Sequence, residues 1–396
     1  MDKKNIKVSV SCIGRFHAFH LAEELDERGC LHKFFTTYYS QTRGLLSEFR
    51  KDFEVIDPYK VQTNIFPALI HKVPEKIPFI PRICNWVYYA DESFDRWVSR
   101  QVDDCDIFFA WSDTALYTLR KARELGSITV LERPASHIFH QKIILEEEYK
   151  KYGIKVKPVD SRTLAKELSE YEEADYVSIP SEYAKQSFIS QGINSSKLIC
   201  VPYGVDLSVF KPVQKTDNIF RIVFAGAIHP RKGVQYLLEA FSKIRLPNSE
   251  LLLIGSLASE GKQFLEKYEG CYKYISWIPH HELFKYLSQG SVFVFPSIDE
   301  GMAIIQIQAM ACGLPVICTY NSGGSDIVRD GIDGYVVPIR DVSILKEKIT
   351  YLYENQDICK KMGESALNRV SRSYSWNDYG DRMVSEFSRI LNNVQR

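Results

Sequence analysis

Three short segments of this chain hold residues suited to gripping a phosphorylated ligand. The first is Ile222-Val223-Phe224-Ala225-Gly226-Ala227-Ile228-His229-Pro230-Arg231-Lys232-Gly233: a strand-like run, a glycine turn, two cations and a second glycine. Arg231 is the type of residue that binds phosphate oxygens through paired N–H groups, and Lys232 supplies a compact point charge. The second segment, Val292-Phe293-Val294-Phe295-Pro296-Ser297-Ile298-Asp299-Glu300-Gly301, delivers Glu300 to the end of a buried strand, just before a helix expected over 302–312. A carboxylate there faces the strand's carboxyl end and suits a helix N-terminus. The plainer reading is a helix-start carboxylate with no further duty. The third segment follows a strand over 315–319 and reads Asn321-Ser322-Gly323-Gly324-Ser325-Asp326. Paired glycines let the backbone approach a ligand, and N–H groups at a helix start suit phosphate, although a lone Gly-Gly also reads as a surface turn. A diphosphate gains negative charge as its bond to another group breaks. Fixed cations and amide dipoles at that place stabilise the transition state more than the ground state. No Gly-Lys-Ser/Thr run of the Walker type occurs, so ATP hydrolysis is not indicated.

The elements that must position these segments alternate along the chain. Ile6 to Cys12, Gly14, a helical pattern to Gly29 and a strand over 31–37 form a parallel βαβ start. Strands follow at 106–111, 127–131, 176–180 and 198–201, with helical patterns at 114–125, 139–152, 161–173 and 182–191. Residues 58–90, rich in proline and aromatics, read as an insertion at the sheet's edge or mouth. The polar run 211–218 marks a join, after which the pattern starts afresh with strands at 220–225, 251–254, 274–277, 292–295, 316–319 and 335–337. The fold class expected is α/β, with two doubly wound parallel sheets in tandem and a ligand cleft at the carboxyl ends of the strands. The division expected is 1–205, 206–375 and a final helix, 376–396, that crosses back to the first domain.

Bulk composition narrows the class. The 396 residues carry 50 Lys+Arg and 50 Asp+Glu, a formal net charge of zero that argues against a duplex nucleic-acid binder. No stretch approaches the ~18 apolar residues of a membrane span, and the start reads as strand rather than signal peptide. The nine cysteines are scattered without a Cys-x-x-Cys pair, which fits a reducing compartment and no zinc site. A cytoplasmic protein is expected.

Together these segments closely resemble glycosyltransferase family 4, the retaining, nucleotide-sugar-dependent enzymes of GT-B fold. The resemblance runs from about Ile199 to Asp341. It includes Val201-Pro202-Tyr203-Gly204-Val205-Asp206 with Phe210, the Arg231-Lys232-Gly233 turn, Pro296 to Gly301, Ala309 to Val316, Asp330-Gly331 and Gly334. It implies a GT-B pair of Rossmann-like domains facing a central cleft. It also implies transfer of a sugar from a UDP- or GDP-sugar to a saccharide or lipid-linked acceptor, in polysaccharide or glycoconjugate synthesis. Lys232 and Arg231 would hold the diphosphate, Glu300 would contact the donor sugar with Gly301 beside it, and Gly323 and Gly324 would lie near the donor.

Two positions depart from the family pattern. A second Glu usually follows with seven residues between, on the ribose hydroxyls, and here it is Gln308, whose amide still pairs with a hydroxyl. Ala227 stands where many members have arginine, so Arg231 would take over that grip. In the first half His137 follows a strand and should face the cleft near the donor sugar, as a histidine often does in the family; the alternative is a capping or core histidine. Arg133 would meet an acceptor or donor anion. Gly14 and His17, in the first strand–helix turn, would line the acceptor side. No metal and no cofactor are expected, since the two cations replace a metal. A lipid-linked acceptor would bring the chain to the inner membrane face peripherally, with Lys72, Lys76 and Arg82 as the basic cluster; the alternative for that cluster is a solvated face. The alternatives are a nucleotide-sugar epimerase of the same architecture, a pyridoxal-phosphate phosphorylase, or a non-catalytic sugar-nucleotide-binding protein.

Overall fold

A computed structural model describes residues 6–14, 17–39, 56–70, 85–155 and 159–394. The first sheet has seven parallel strands: β1 (Val8–Cys12), β2 (Leu31–Thr36), β3 (Val61–Thr63), β4 (Ile107–Trp111), β5 (Ile128–Glu132), β6 (Tyr176–Ile179) and β7 (Leu198–Cys200), in the order β3-β2-β1-β4-β5-β6-β7. Every residue of β1 and β4 is buried, the apolar run of β4 and the small Ser9 and Ser11 of β1 alike, as helices covering both faces of a sheet require. The second sheet has six: β8 (Phe220–Ala225), β9 (Ser249–Ile254), β10 (Lys273–Ile275), β11 (Val292–Phe295), β12 (Val316–Thr319) and β13 (Gly334–Val337), in the order β10-β9-β8-β11-β12-β13. All pairings are parallel here too. Each sheet reverses strand order once, between β1 and β4 in the first and between β8 and β11 in the second. In open α/β sheets ligands bind outside the strand ends at such a reversal.

The chain crosses between the sheets twice, and the crossings touch: Val205 bridges Ser375. The final helix, Trp376–Val394, then returns to the first half. Arg28 donates to Asp381 at 2.8 Å and to the Asn377 carbonyl at 2.9 Å, and Phe387 lies edge-on to Phe109. Among the described residues no helix is long and apolar enough to cross a membrane.

The segment read as an irregular insertion is partly regular. Asp57 accepts from the Tyr59 N–H and starts a 3-10 turn with Pro58 in its first position, where a missing N–H costs nothing. Val61–Thr63 then pairs with β2 as an edge strand, and Asn85 caps a helix over Trp86–Ser99. The proline cluster beyond residue 70, and Lys72, Lys76 and Arg82, lie outside the described residues.

Candidate active site

The reversal between β8 and β11 brings the three sequence segments together. The β8 exit turns through Pro230–Lys232 and reaches Gly233, whose φ of 70° suits glycine. A Cβ at Gly233 would run into the Pro296 carbonyl, so glycine is what lets the next helix close on the β11 exit. The Arg231 carbonyl accepts from the Ile298 N–H at 2.8 Å and from Ser297 Oγ at 3.0 Å. The β12 exit joins from the other side. Thr319 Oγ1 donates to the Ser297 carbonyl at 2.6 Å, Asn321 Nδ2 to the Ile298 carbonyl at 2.9 Å, and the Glu300 N–H to the Asn321 carbonyl at 2.9 Å. Backbone groups that strand pairing no longer satisfies at the strand ends are thus satisfied between loops.

This lacing fixes where Glu300 points. Its Oε2 accepts from Arg231 Nη1 at 3.1 Å and from the Lys232 ammonium. Burial alone would push the Glu300 carboxyl up, but the charges of Lys232 and Arg231 outweigh it and hold it below the usual carboxylate range. Burial lowers Lys232, and Glu300 offsets this only in part. Two cations thus face the Glu300 carboxylate, and the buried Asp299 carboxylate beside it also acts on Lys232.

The exits of the first sheet meet this loop across the interface. Ser136, Gln141 and Tyr183 donate to Asp299, and Ser181 donates to the Gly301 carbonyl at 2.5 Å. The Glu182 N–H donates to Asp326 at 3.0 Å. The helix Ile138–Lys151 also leans on the second half, through buried Glu148, which accepts from Gln235 Nε2 and the Tyr236 hydroxyl at 2.7 Å each and from Arg340 Nε at 2.7 Å.

With this geometry in place, comparison with known proteins bears on both halves. The family described as Glycosyltransferase Family 4 matches residues 15–209, and that described as Glycosyl transferases group 1 matches residues 219–355. Each half of the chain thus matches a glycosyltransferase family model, and the two-sheet architecture is the GT-B fold. Two solved structures share the fold of this GT-B chain. Sucrose-phosphate synthase from Thermosynechococcus elongatus has a TM-score of 0.70 at 18% identity, covering 98% of this chain and 100% of that one. Anabaena HepE in complex with UDP and glucose has a TM-score of 0.68 at 13% identity, covering 97% and 99%. In sequence, an uncharacterized glycosyltransferase of Methanocaldococcus jannaschii is 32% identical over 155 residues, 39% of this chain and 44% of its own length. A capsular polysaccharide biosynthesis glycosyltransferase of Staphylococcus aureus is 30% identical over 184 residues, 44% and 47%. The chain spans about half the length of these relatives.

In the first half of this GT-B chain the structure corrects several positional expectations. His137 does not face the cleft as a free imidazole. It caps the Ile138–Lys151 helix, with Nδ1 accepting from the Phe139 N–H at 3.2 Å, and is packed between the rings of Tyr171 and Phe188. Burial first, then the charges of Arg133 and His140, lower it to about 4. Arg133 does not await an anion: it is buried, with Nη1 on Glu167 at 3.0 Å and Nε on the Ser136 carbonyl at 3.2 Å. His17 Nε2 meets Glu132 Oε1 at 2.9 Å, and Tyr203 donates to the same oxygen at 2.8 Å. Gly14 sits in the turn after β1, where its carbonyl accepts from Cys12 Sγ. A cation or histidine beside buried carboxylates satisfies those carboxylates first.

In the second half the paired glycines also serve the fold. A Cβ on Gly323, at φ 71°, would stand 2.8 Å from the Gly301 carbonyl, and one on Gly324 would strike Cys318 Sγ. Gln308 donates its amide to His280 Nε2 at 3.0 Å. Ala227 brings no charge to the β8 exit, whose cations are Arg231 and Lys232. The sequence reading passed over Asp299, Ser136, Gln141 and Tyr183. The one available signal was Asp299 beside Glu300 in an apolar strand exit.

Proposed function

We propose that this chain transfers a sugar from a UDP- or GDP-sugar to a hydroxyl of a saccharide or lipid-linked acceptor, with retention at the anomeric carbon. The observation that supports this most is the convergence of Arg231 and Lys232 on Glu300 at the β8/β11 reversal. In this reading the two cations exchange part of their contact with Glu300 for the donor diphosphate, and Glu300 turns to a sugar hydroxyl. As the bond to the anomeric carbon breaks, charge grows on the leaving phosphate, and cations fixed by their loops stabilise it without reorganising. The leaving phosphate takes the acceptor proton on the same face, while the protein supplies position. Gln308 hydrogen-bonds the ribose, and Gly323 and Gly324 bring the β12 exit close to the donor. Since Arg231 and Lys232 supply the positive charge, the reaction is proposed to need no metal, and EDTA should leave the rate unchanged.

Two similar proteins agree with a nucleotide-sugar donor. One is a GDP-mannose-dependent mannosyltransferase of Mycolicibacterium smegmatis, 26% identical over 244 residues, and HepE was solved with UDP-glucose. A cytoplasmic location with peripheral contact at the inner membrane face would suit a lipid-linked acceptor. Exposed Tyr59, Ile65, Phe66 and Leu69, with Val87 and Tyr89 further on, flank the segment holding Lys72, Lys76 and Arg82. The test is a thermal-shift screen of UDP, GDP and their sugars, followed by product analysis with a labelled donor. Free nucleotide plus a glycoside supports transfer. An isomerised nucleotide sugar would assign an epimerase instead, and no binding of any sugar nucleotide would overturn the reading.

A further inference from the structure

We infer that Asp299 is a positioning residue that makes the placement of Glu300 depend on contact between the two halves. This rests on the proposed role of Glu300 at the donor sugar. Asp299 is fully buried, yet it lies in a loop and its side-chain oxygens are met by neutral donors. Its Oδ1 accepts from Ser136 Oγ at 2.5 Å and from the Tyr183 hydroxyl at 2.8 Å, and its Oδ2 accepts from Gln141 Nε2 at 2.7 Å. All three donors belong to the first half, whereas Asp299 belongs to the second. The two hydroxyl donors come from the exits of β5 and β6, and Gln141 from the helix that follows β5.

The far side of Glu300 is held by the same half. The Gly301 carbonyl accepts from Ser181 Oγ at 2.5 Å, and a Cβ on Gly301 would run into the Pro134 carbonyl. Glu300 is therefore the middle residue of a three-residue span whose ends are pinned by the first half. Its own side chain turns the other way, to Arg231 and Lys232. Ser297 Oγ and Arg231 Nη1 lie 3.4 and 3.3 Å from the Asp299 carbonyl, so the β8 exit senses the same residue.

The energetics make Asp299 a two-state element. A buried carboxylate is tolerated only while its oxygens are hydrogen-bonded. Burial, then the carboxylate of Asp299, raises the Tyr183 phenol, which keeps it protonated and donating. When the halves part, all three donors leave together and Asp299 must hydrate, so the pinned geometry of 299–301 exists only in the closed form. The cations that would hold the diphosphate stand outside this span. Nucleotide binding should then survive loss of Asp299, and turnover should not.

The test uses the full chain and four variants: Asp299→Ala, Asp299→Asn, Glu148→Gln and Glu300→Gln. UDP and GDP affinities are measured by calorimetry, and nucleotide release is followed from UDP-glucose and GDP-mannose. Asp299→Ala should lose about 100-fold in kcat, the size expected of a misplaced reacting group, while nucleotide Kd changes less than about twofold. Asp299→Asn keeps an acceptor oxygen for the two hydroxyls and should recover to within about 10-fold of the parent. Glu148→Gln weakens the same interface away from the 299–301 span and should lose less than about fivefold. Hydrogen exchange read without any substrate should rise in Asp299→Ala over 298–303 and not in β11. Wild-type turnover in Asp299→Ala, unchanged exchange over 298–303, or equal losses in Asp299→Ala and Glu148→Gln that track a common fall in Tm would each overturn the inference. Full activity of Glu300→Gln would instead sink the underlying reading of Glu300, and the exchange result would still stand by itself.

Discussion

The two halves are copies of one architecture, yet the charges near their strand ends are used differently. In the first half Arg133 meets Glu167, His17 meets Glu132, and Lys166 meets both Glu92 and Asp95. These groups all find partners within the first half of the chain. In the second half Arg231 and Lys232 share a single carboxylate oxygen of Glu300. A buried ion pair that closes on itself holds a domain's shape, while two cations on one carboxylate oxygen at a strand-order reversal can exchange part of that contact for an incoming anion.

That contrast is easiest to break at Arg133. If it is structural, Arg133→Ala leaves Glu167 buried without its cation and should destabilise the chain by about 3–5 kcal/mol in urea unfolding. An Arg133→Ala variant of parental stability that has lost only acceptor affinity would erase the distinction between the halves. Lys232→Ala should do the reverse. Turnover should fall by about 100- to 1000-fold, with a smaller loss of stability than in Arg133→Ala, because Glu300 keeps Arg231 while a cation for the transition state is lost. Gly233→Ala sharpens the second-half picture. A left-handed alanine costs about 1–2 kcal/mol before its contact with Pro296 is counted, so Tm should fall and UDP or GDP binding should weaken with it.

The smallest effect concerns His137 and pH. Because burial and nearby charge lower it to about 4, the unfolded chain takes up this proton at higher pH than the folded chain does. Its contribution to stability is therefore full above about 6.5 and is lost as pH falls toward 4. His137→Asn keeps a capping oxygen but cannot titrate there. It should be somewhat less stable at pH 7 and show a flatter decline between pH 6.5 and 4 in chemical denaturation. An unaltered pH profile would return His137 to the cleft.

Much of the architecture was legible because strand and helix are local consequences of side-chain pattern. Runs such as Ile222-Val223-Phe224-Ala225 and Val292–Phe295 are apolar throughout, as strands buried on both faces are. β3 was missed because Val61-Gln62-Thr63 holds one apolar residue and lies in a stretch whose prolines and aromatics mask a strand pattern. The Arg231-Lys232-Gly233 turn and Glu300 were legible for a different reason: glycine, paired cations and a carboxylate at strand exits are costly choices unless something uses them.

What the sequence by itself determined about this chain is the set of parts: two α/β halves, their strand exits, and a cation pair in one of them. Only the tertiary structure decided that His137 turns inward as a cap, that Arg133 is consumed by Glu167, and that Asp299 is held from the opposite half. Asp299 and its donors are 116 to 163 residues apart in the chain. Whether a charge is spent or available depends on which partners the fold carries to within hydrogen-bond distance, and pattern along a chain does not encode distances across it.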